Sequence, residues 1–180
     1  MTGDCGLPSG VQKPSWYVLF VRSNQEREVS CHLSYRGVEH YCPSYSVVHR
    51  WQDRQVNLKR PLFPGYMFVR LRLVERLKVL TVPNVVSLVG PQHSPSVVAD
   101  EEVAWIRRGV EHAKAEPHAY LKAGTRIAIT SGVLSGMEGI LVRQRNSTRM
   151  VVSLDSIARA FVVEVDALCT ELARTKSICN

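Results

Sequence analysis

The segment Arg60-Pro61-Leu62-Phe63-Pro64-Gly65-Tyr66-Met67-Phe68-Val69-Arg70 decides the fold of the first half of the chain. Its two prolines fix their own backbone and push the preceding residues out of the helical region, and a glycine follows at the corner. We therefore predict a stiff turn that leads into a strand over residues 66–71. Alternate residues of a strand face opposite sides. Tyr66 and Phe68 then share one face, and the opposite face, which begins with Met67, is predicted to be core.

The aromatic face of this strand has two interpretations. Aromatic residues dominate protein cores and protein interfaces alike. Tyr66 and Phe68 are therefore either packed in a sheet that is buried on both faces or part of a surface that binds a partner. The strand alone does not decide between the two.

Composition indicates a globular protein with an anionic partner. The chain has 180 residues, 45% hydrophobic and 22% charged, which is enough for one domain or two small ones. A net charge of +7 makes nucleic acid the first candidate partner and a membrane surface the second. No apolar run approaches about 18 residues, so no membrane span is expected, and nucleic acid is preferred over a membrane partner.

The cysteines and histidines argue against metal, cofactor and disulfide chemistry. The five cysteines are scattered without a Cys-x-x-Cys pair, and the six histidines lack metal spacing. Such an odd, dispersed set of cysteines is typical of the reducing cytoplasm. Cys31 and Cys42 have His32 and His40 nearby in sequence, but no nucleophile elbow or carboxylate pair accompanies them. We therefore expect neither a cofactor nor an enzymatic activity.

The pattern from residue 15 to residue 109 predicts an α+β domain in which helices cover one antiparallel sheet. Its strands are predicted at 16–21, 38–48, 66–71 and 85–89, and its helices at 23–36, 74–80 and 100–108. Ser23 and Glu26 have the spacing of a capping box at the start of the first helix, and Gly37 ends that helix. Residues 1–14 lack the layout of a signal peptide and are expected to be a disordered leader.

A basic stretch, His49 to Arg60, precedes the proline-rich turn. It contains Arg50, Arg54 and Lys59 and one tryptophan with a single acidic residue, and we predict a β-hairpin or a long loop. Basic residues interleaved with an aromatic suit phosphate contact and base stacking. The other interpretation is an exposed loop whose charge keeps the protein in solution.

The pattern changes after residue 109. Residues 110–122 have no strong apolar period and are predicted to be a linker. From 123 to 180, short strands roughly ten residues apart alternate with polar turns, which favours a small five-stranded β-barrel. The strands are predicted at 126–130, 139–145, 150–154 and 161–165, with a final turn near Leu168.

These segments together resemble a known family. Trp16-Tyr17-Val18-Leu19, Pro61–Val69 and Asn84–Gly90 are similar to the N-terminal (NGN) domain of NusG-type transcription elongation factors. The second half resembles their KOW domain. The residues that carry this second likeness are Gly124–Ile129, Gly132–Ile140, Ala158-Arg159 and Val163-Glu164-Val165. The resemblance extends over nearly the whole chain from residue 15 to about residue 172.

The resemblance implies a transcription elongation and antitermination factor. Such factors dock the first domain on the clamp helices of the β′ subunit of RNA polymerase and suppress pausing. Their KOW domain recruits the termination factor Rho or a ribosomal protein. The family's docking surface is an apolar depression, and the matching positions here are Phe20, Tyr66 and Phe68. Two of these already share a face of the predicted strand.

The resemblance also implies a contact with DNA. Relatives of the RfaH kind touch the non-template strand with residues that follow the first strand and continue along the first helix. The matching residues here are Arg22, His32 and Arg36. The other interpretation of these residues is an ordinary solvated helix face.

The second half departs from the family pattern in two places. Gly132-Val133-Leu134 stands where the family often has Gly-Pro before an apolar residue. Ile157-Ala158-Arg159 stands where general NusG proteins carry an aromatic residue that contacts the KOW partner. Ile157 and Arg159 are therefore the expected partner contacts. The missing aromatic indicates a specialised paralogue of the RfaH kind, of the sort that antiterminates long polysaccharide or secondary-metabolite operons.

One other class of protein fits the composition. A ribosome-associated KOW-type RNA-binding protein would also be basic and cytoplasmic, with no polymerase contact. It leaves the Leu62–Val69 segment and its aromatic face without a role. Polymerase binding that survives mutation of Tyr66 would favour this alternative.

Overall fold

The computed structural model describes residues 13–51, 54–91, 94–113, 115–121, 124–144, 147–165 and 170–172, so all but the end of the predicted leader lies outside the described residues. The helices are α1 (Glu26–Tyr35), α2 (Leu77–Leu80) and α3 (Asp100–His112), with 3-10 turns at Leu73–Glu75 and Asp155–Ile157. The strands are β1 (Ser15–Val21), β2 (Glu39–Tyr41), β3 (Ser44–Trp51), β4 (Arg54–Pro61), β5 (Tyr66–Leu71), β6 (Val85–Leu88), β7 (Val97–Val98), β8 (Glu116–His118), β9 (Arg126–Ile129), β10 (Glu138–Gln144), β11 (Ser147–Leu154), β12 (Arg159–Val165) and β13 (Thr170–Leu172).

The described strands form three antiparallel sheets. The first has the order β2-β5-β1-β6, and β7 also pairs with β1. Strands β3 and β4 form a separate two-stranded ribbon. The third sheet has the order β13-β9-β10-β11-β12-β8. The α+β class predicted from the sequence is therefore confirmed.

The alternation predicted for β5 is confirmed, and both faces of the first sheet are buried. Met67 and Val69 join Leu19 in a cluster covered by α1 and α2, which we call the helix face. Phe68 joins Val18 in a cluster that also contains residues of α3 and of the third sheet. We call this second side the shared face.

The start of α1 differs from the prediction. The helix begins at Glu26 after Gln25, and its N-cap has no side-chain hydrogen bond, so the capping box expected of Ser23 and Glu26 is wrong. The Glu26 side chain is instead buried and accepts a hydrogen bond from the Gly65 N–H at 2.9 Å. The Glu26 carboxylate, which the local pattern assigned to the helix cap, therefore binds a distant backbone amide instead. The predicted end is confirmed, because Gly37 follows with a φ of 65°.

The third helix is longer than predicted, and so is the third sheet. Helix α3 continues past residue 108 to His112 because Gly109 lies against the third sheet, where an added Cβ would come within 3.0 Å of Phe161. The predicted linker therefore contains the end of α3 and strand β8, which pairs with β12. This strand brings the sheet to six within the described residues, one more than predicted.

The remaining elements lie close to their predicted places. The strand expected over 38–48 is divided into β2 and β3, and the helix expected over 74–80 into a 3-10 turn and α2. The basic stretch forms the predicted hairpin. Strands β9 to β12 match the four predicted in the second half, whereas Leu168 lies outside the described residues.

Candidate functional site

Two of the three predicted docking residues form a pair at the surface. Phe20 and Tyr66 are cross-strand neighbours on β1 and β5, and their ring centroids lie 5.5 Å apart. Phe20 is 40% exposed and Tyr66 is half-buried. Phe68, two residues along, is fully buried and packs edge-on against Phe63. Tyr66 packs against the buried cluster that contains Phe68.

A buried carboxylate holds the corner beside this pair. Gly65 has a φ of 81°, and its carbonyl accepts a hydrogen bond from the Val21 N–H at 2.9 Å while its own N–H binds Glu26. A Cβ at this position would lie 3.3 Å from the Val21 carbonyl oxygen, so glycine is needed there. Glu26 therefore positions the turn before Tyr66. This role of Glu26 is not predictable from the sequence, since nothing in the local pattern marks a carboxylate that binds a distant segment.

The second half of the chain lies over the aromatic pair. A crevice of about 340 Å³ is lined on one side by Phe20, Tyr66 and residues 87–90, and on the other by residues 155–158. The Arg159 guanidinium carbon lies 5.6 Å from the centroid of the Tyr66 ring, within the range of a cation–π contact. Ile157 is only 7% exposed and belongs to the cluster that includes Phe68.

Further contacts join the two halves of the chain outside this crevice. Phe63 and Phe161 meet edge to face, with ring centroids 6.2 Å apart. The Nη1 of Arg108 donates hydrogen bonds to the carbonyl oxygens of Ser135 at 3.0 Å and Val133 at 3.3 Å. The two surfaces predicted to bind different partners therefore face each other.

Helix α3 is held to the shared face by a cationic side chain. The Arg107 guanidinium lies 5.0 Å from the ring centroid of Tyr41 and 5.5 Å from that of Trp16. Burial raises the pKa of Tyr41 to about 12, against the lowering effect of Arg107. The Tyr41 phenol is therefore neutral at physiological pH. This arrangement seats α3 between the first and third sheets.

The predicted nucleic-acid residues are in three different situations. Arg22 is exposed at the end of β1. His32 is also on the surface, with its Nε2 4.0 Å from a carboxylate oxygen of Glu28. Arg36 donates to the Lys78 carbonyl at 2.7 Å and to the Thr81 side chain and carbonyl, and so ties α1 to the end of α2. Among the described residues, the side chain of Arg22 makes no hydrogen bond or ion pair, unlike those of His32 and Arg36.

The described ranges contain no group of three or more His, Cys, Asp and Glu side chains that is able to hold a metal ion. None of the helices in this part of the chain has both the length and the apolar character to cross a membrane.

Fold and site together define a protein of two sheet-based units whose contact surfaces are aromatic and basic, a construction that suits binding. The family model described as "Transcription termination factor nusG" matches residues 14–107, just over half of the chain. The chain therefore belongs to the NusG family. It is a non-enzymatic transcription termination and antitermination factor.

Known proteins resemble the chain over most of its length. The transcription termination/antitermination protein NusG of Lactococcus lactis is 25% identical over 166 residues, 84% of this chain and 89% of that protein. NusG of Rickettsia bellii is 19% identical over 162 residues, 83% of this chain and 85% of that protein. A structure titled "Domain interaction in Thermotoga maritima NusG" has a TM-score of 0.53 at 23% identity. It covers 90% of this chain and 98% of that one, and the likeness shows the fold.

Proposed function

We propose that this factor binds the clamp helices of the RNA polymerase β′ subunit through Phe20 and Tyr66, and so suppresses pausing or termination; Phe68, predicted as a third contact, is buried behind them. The exposed Phe20–Tyr66 pair carries the proposal, because partly exposed, rigidly mounted aromatics are typical binding hot spots. The family membership of residues 14–107 supports the same assignment.

The contact between the two halves restricts this binding. Residues 155–158 and Arg159 lie against the aromatic pair, so a polymerase helix has to displace them before it reaches Tyr66. We propose that Ile157 and Arg159 then become free to recruit a second partner, Rho or a ribosomal protein. Polymerase binding and partner recruitment are linked because each needs the same contact to open.

The DNA contact we propose for the helix α1 side rests on Arg22 and His32. Arg22 is exposed at the end of β1, one helical turn before α1, where it is free to pair with a phosphate of the non-template strand. Arg36 contributes by holding α1 against α2, since its guanidinium is already hydrogen-bonded there. Substitution of Arg22 by Ala is therefore expected to weaken DNA contact more directly than substitution of Arg36.

We further propose that the chain is a specialised, cytoplasmic paralogue that acts on particular operons. Its two domains are residues 15–109 and 123–180, and the segment that connects them includes the end of α3 and strand β8. The apolar Ile157, where general NusG proteins carry an aromatic, supports the first part of this proposal. Ile157 packs into the contact between the halves rather than projecting from it. An aliphatic residue there suits a contact that closes within the chain.

The test is competition with a general NusG for core RNA polymerase, using the full chain. The double variant Phe20→Ala/Tyr66→Ala should lose at least about 30-fold in affinity, since a hot-spot truncation costs about 2 kcal/mol or more. Leu77→Ala is the matched control, because Leu77 is also apolar and exposed but lies on α2. Unchanged affinity of the double variant would remove the docking assignment. Retained binding to ribosomal RNA in that case would favour the ribosome-associated alternative.

A further inference from the structure

The β3–β4 ribbon stands apart from the first sheet. Its eight residue pairs run in continuous antiparallel register from Ser44↔Pro61 to Trp51↔Arg54. Among the described strands, β3 and β4 pair only with each other. At roughly 3.3 Å per residue, a strand of this length spans about 26 Å. The ribbon is therefore an arm rather than part of the core.

The base of the ribbon is mounted firmly. The Leu62 N–H donates to the Pro43 carbonyl at 2.8 Å, which closes the ladder where the two strands leave the domain. Leu62 and Phe63 are buried immediately after β4, and Tyr45 packs against the same cluster. The arm is thus fixed in direction by the proline-rich segment that also shapes the aromatic pair.

The described surface of the ribbon is exposed and basic. Residues 57–60 are all exposed, and Val48 on the facing strand is 61% exposed. No carboxylate in the described part of the chain lies within ion-pair distance of Lys59 or Arg60. The ribbon sequence holds four lysines and arginines and one acidic residue. This charge is available to an external anion.

We propose that the β3–β4 ribbon is a second nucleic-acid site, which lies in a groove of duplex DNA and contacts its phosphates through Lys59 and Arg60. A two-stranded β-ribbon fits the major groove of B-DNA, which is about 12 Å wide, and unpaired cations along it meet the phosphates. The contact is independent of base sequence. It does not depend on the polymerase contact proposed above.

The experiment measures anisotropy of a labelled DNA duplex of about 20 base pairs with the full chain, at salt concentrations from about 50 to about 200 mM. Lys59→Gln/Arg60→Gln should flatten the dependence of log K on log salt by about 2, since each lost phosphate contact removes about 0.9. Addition of Arg50→Gln and Arg54→Gln should flatten it further.

The matched control is Arg76→Gln/Arg126→Gln, which changes the net charge equally at two exposed positions outside the ribbon. It should keep the wild-type slope. The proposal is overturned if the ribbon variant keeps that slope or the control loses as much. Equal or tighter binding to the single strand, or equal binding to an RNA duplex, would overturn the assignment to duplex DNA. The ribbon variant should still compete with NusG for polymerase, so this test and that of the docking residues fail separately.

Discussion

The two faces of the first sheet are buried to a similar degree but are covered in different ways. The helix face is closed by α1 and α2, which connect strands of that same sheet. The shared face is closed by α3 and by side chains of a separate sheet, such as Phe161. A cover that belongs to the domain leaves only when the domain unfolds, whereas a cover from another unit can be exchanged for a partner.

This difference bears on the two interpretations of the aromatic strand. Phe68 is core, Phe20 is at the surface, and Tyr66 lies between them under Arg159. Burial of an aromatic residue on the shared face therefore does not exclude a binding role. Burial on the helix face does exclude such a role, because its cover belongs to the same domain.

The largest expected effect is on the helix face. Leu33 of α1 is fully buried there, and Leu33→Ala should lower the free energy of unfolding by about 2–5 kcal/mol. Urea denaturation measures this loss. Leu77→Ala, at an exposed position, should stay within about 0.5 kcal/mol of the wild type. A loss below that margin for Leu33→Ala would mean that α1 does not close this face.

Thiol labelling tests whether the cover of the helix face is permanent. Cys42 packs against the helix-face cluster, and burial, together with the nearby Glu26 carboxylate, raises its pKa from 9.0 to about 11. Below pH 9 it should hold about one hundredth of the thiolate of an unshifted cysteine, and react correspondingly slowly in mass-spectrometric mapping. Cys31 is exposed and is the internal comparison. Equal labelling of the two would show that the helix face opens readily.

Weakening the cover of the shared face should improve polymerase binding. Ile157→Ala removes packing from the contact between the halves, and about 1.4 kcal/mol of lost closure corresponds to tenfold tighter binding. Arg108→Ala, which removes the hydrogen bonds to Val133 and Ser135, should act in the same direction by a smaller factor. Competition with NusG measures both variants. Val133→Ala alters only an exposed side chain and should have no effect. Weaker polymerase binding of Ile157→Ala would contradict the masking account, in which the second half of the chain covers the polymerase-binding aromatic pair.

The smallest effect concerns the turn that faces the aromatic pair. Ala158 has a φ of 48°, a conformation that costs an alanine about 1 kcal/mol. Ala158→Gly should therefore raise the thermal midpoint slightly, by the equivalent of about 0.5 kcal/mol. Ala160→Gly, at a buried position in β12, should lower it. A lower midpoint for Ala158→Gly would show that the turn is not strained.

The local sequence pattern predicted most of the elements in the first half of the chain. The alternation of β5, the glycine after α1 and the basic hairpin depend on neighbouring residues, and the structure has all three. Helix α3 was predicted to end at residue 108 because the apolar period stops there, whereas it continues through Gly109, which allows close approach to Phe161. The sequence of strand β8 has no strand pattern of its own. The strand forms by pairing with β12, some forty residues further along the chain, which a local pattern does not reveal.

The candidate site was predictable only in part. The family resemblance pointed to Phe20 and Tyr66, and the structure brings these two rings together. Their cover by Arg159 and the support by Glu26 are tertiary contacts between distant segments, and neither charge periodicity nor spacing reveals them. Arg36 shows the converse, because a basic residue on a polar helix face can already be occupied by backbone carbonyls.

Hydroxyl-radical footprinting of the full chain, free and bound to core RNA polymerase, tests the central claim most directly. The account predicts that Phe20 and Tyr66 become protected in the complex while Ile157, buried in the free chain, becomes reactive. Phe161 is expected to follow Ile157, because both lie on the cover of the shared face. If Ile157 stays protected while polymerase is bound, the cover does not leave the shared face and the masking account is wrong.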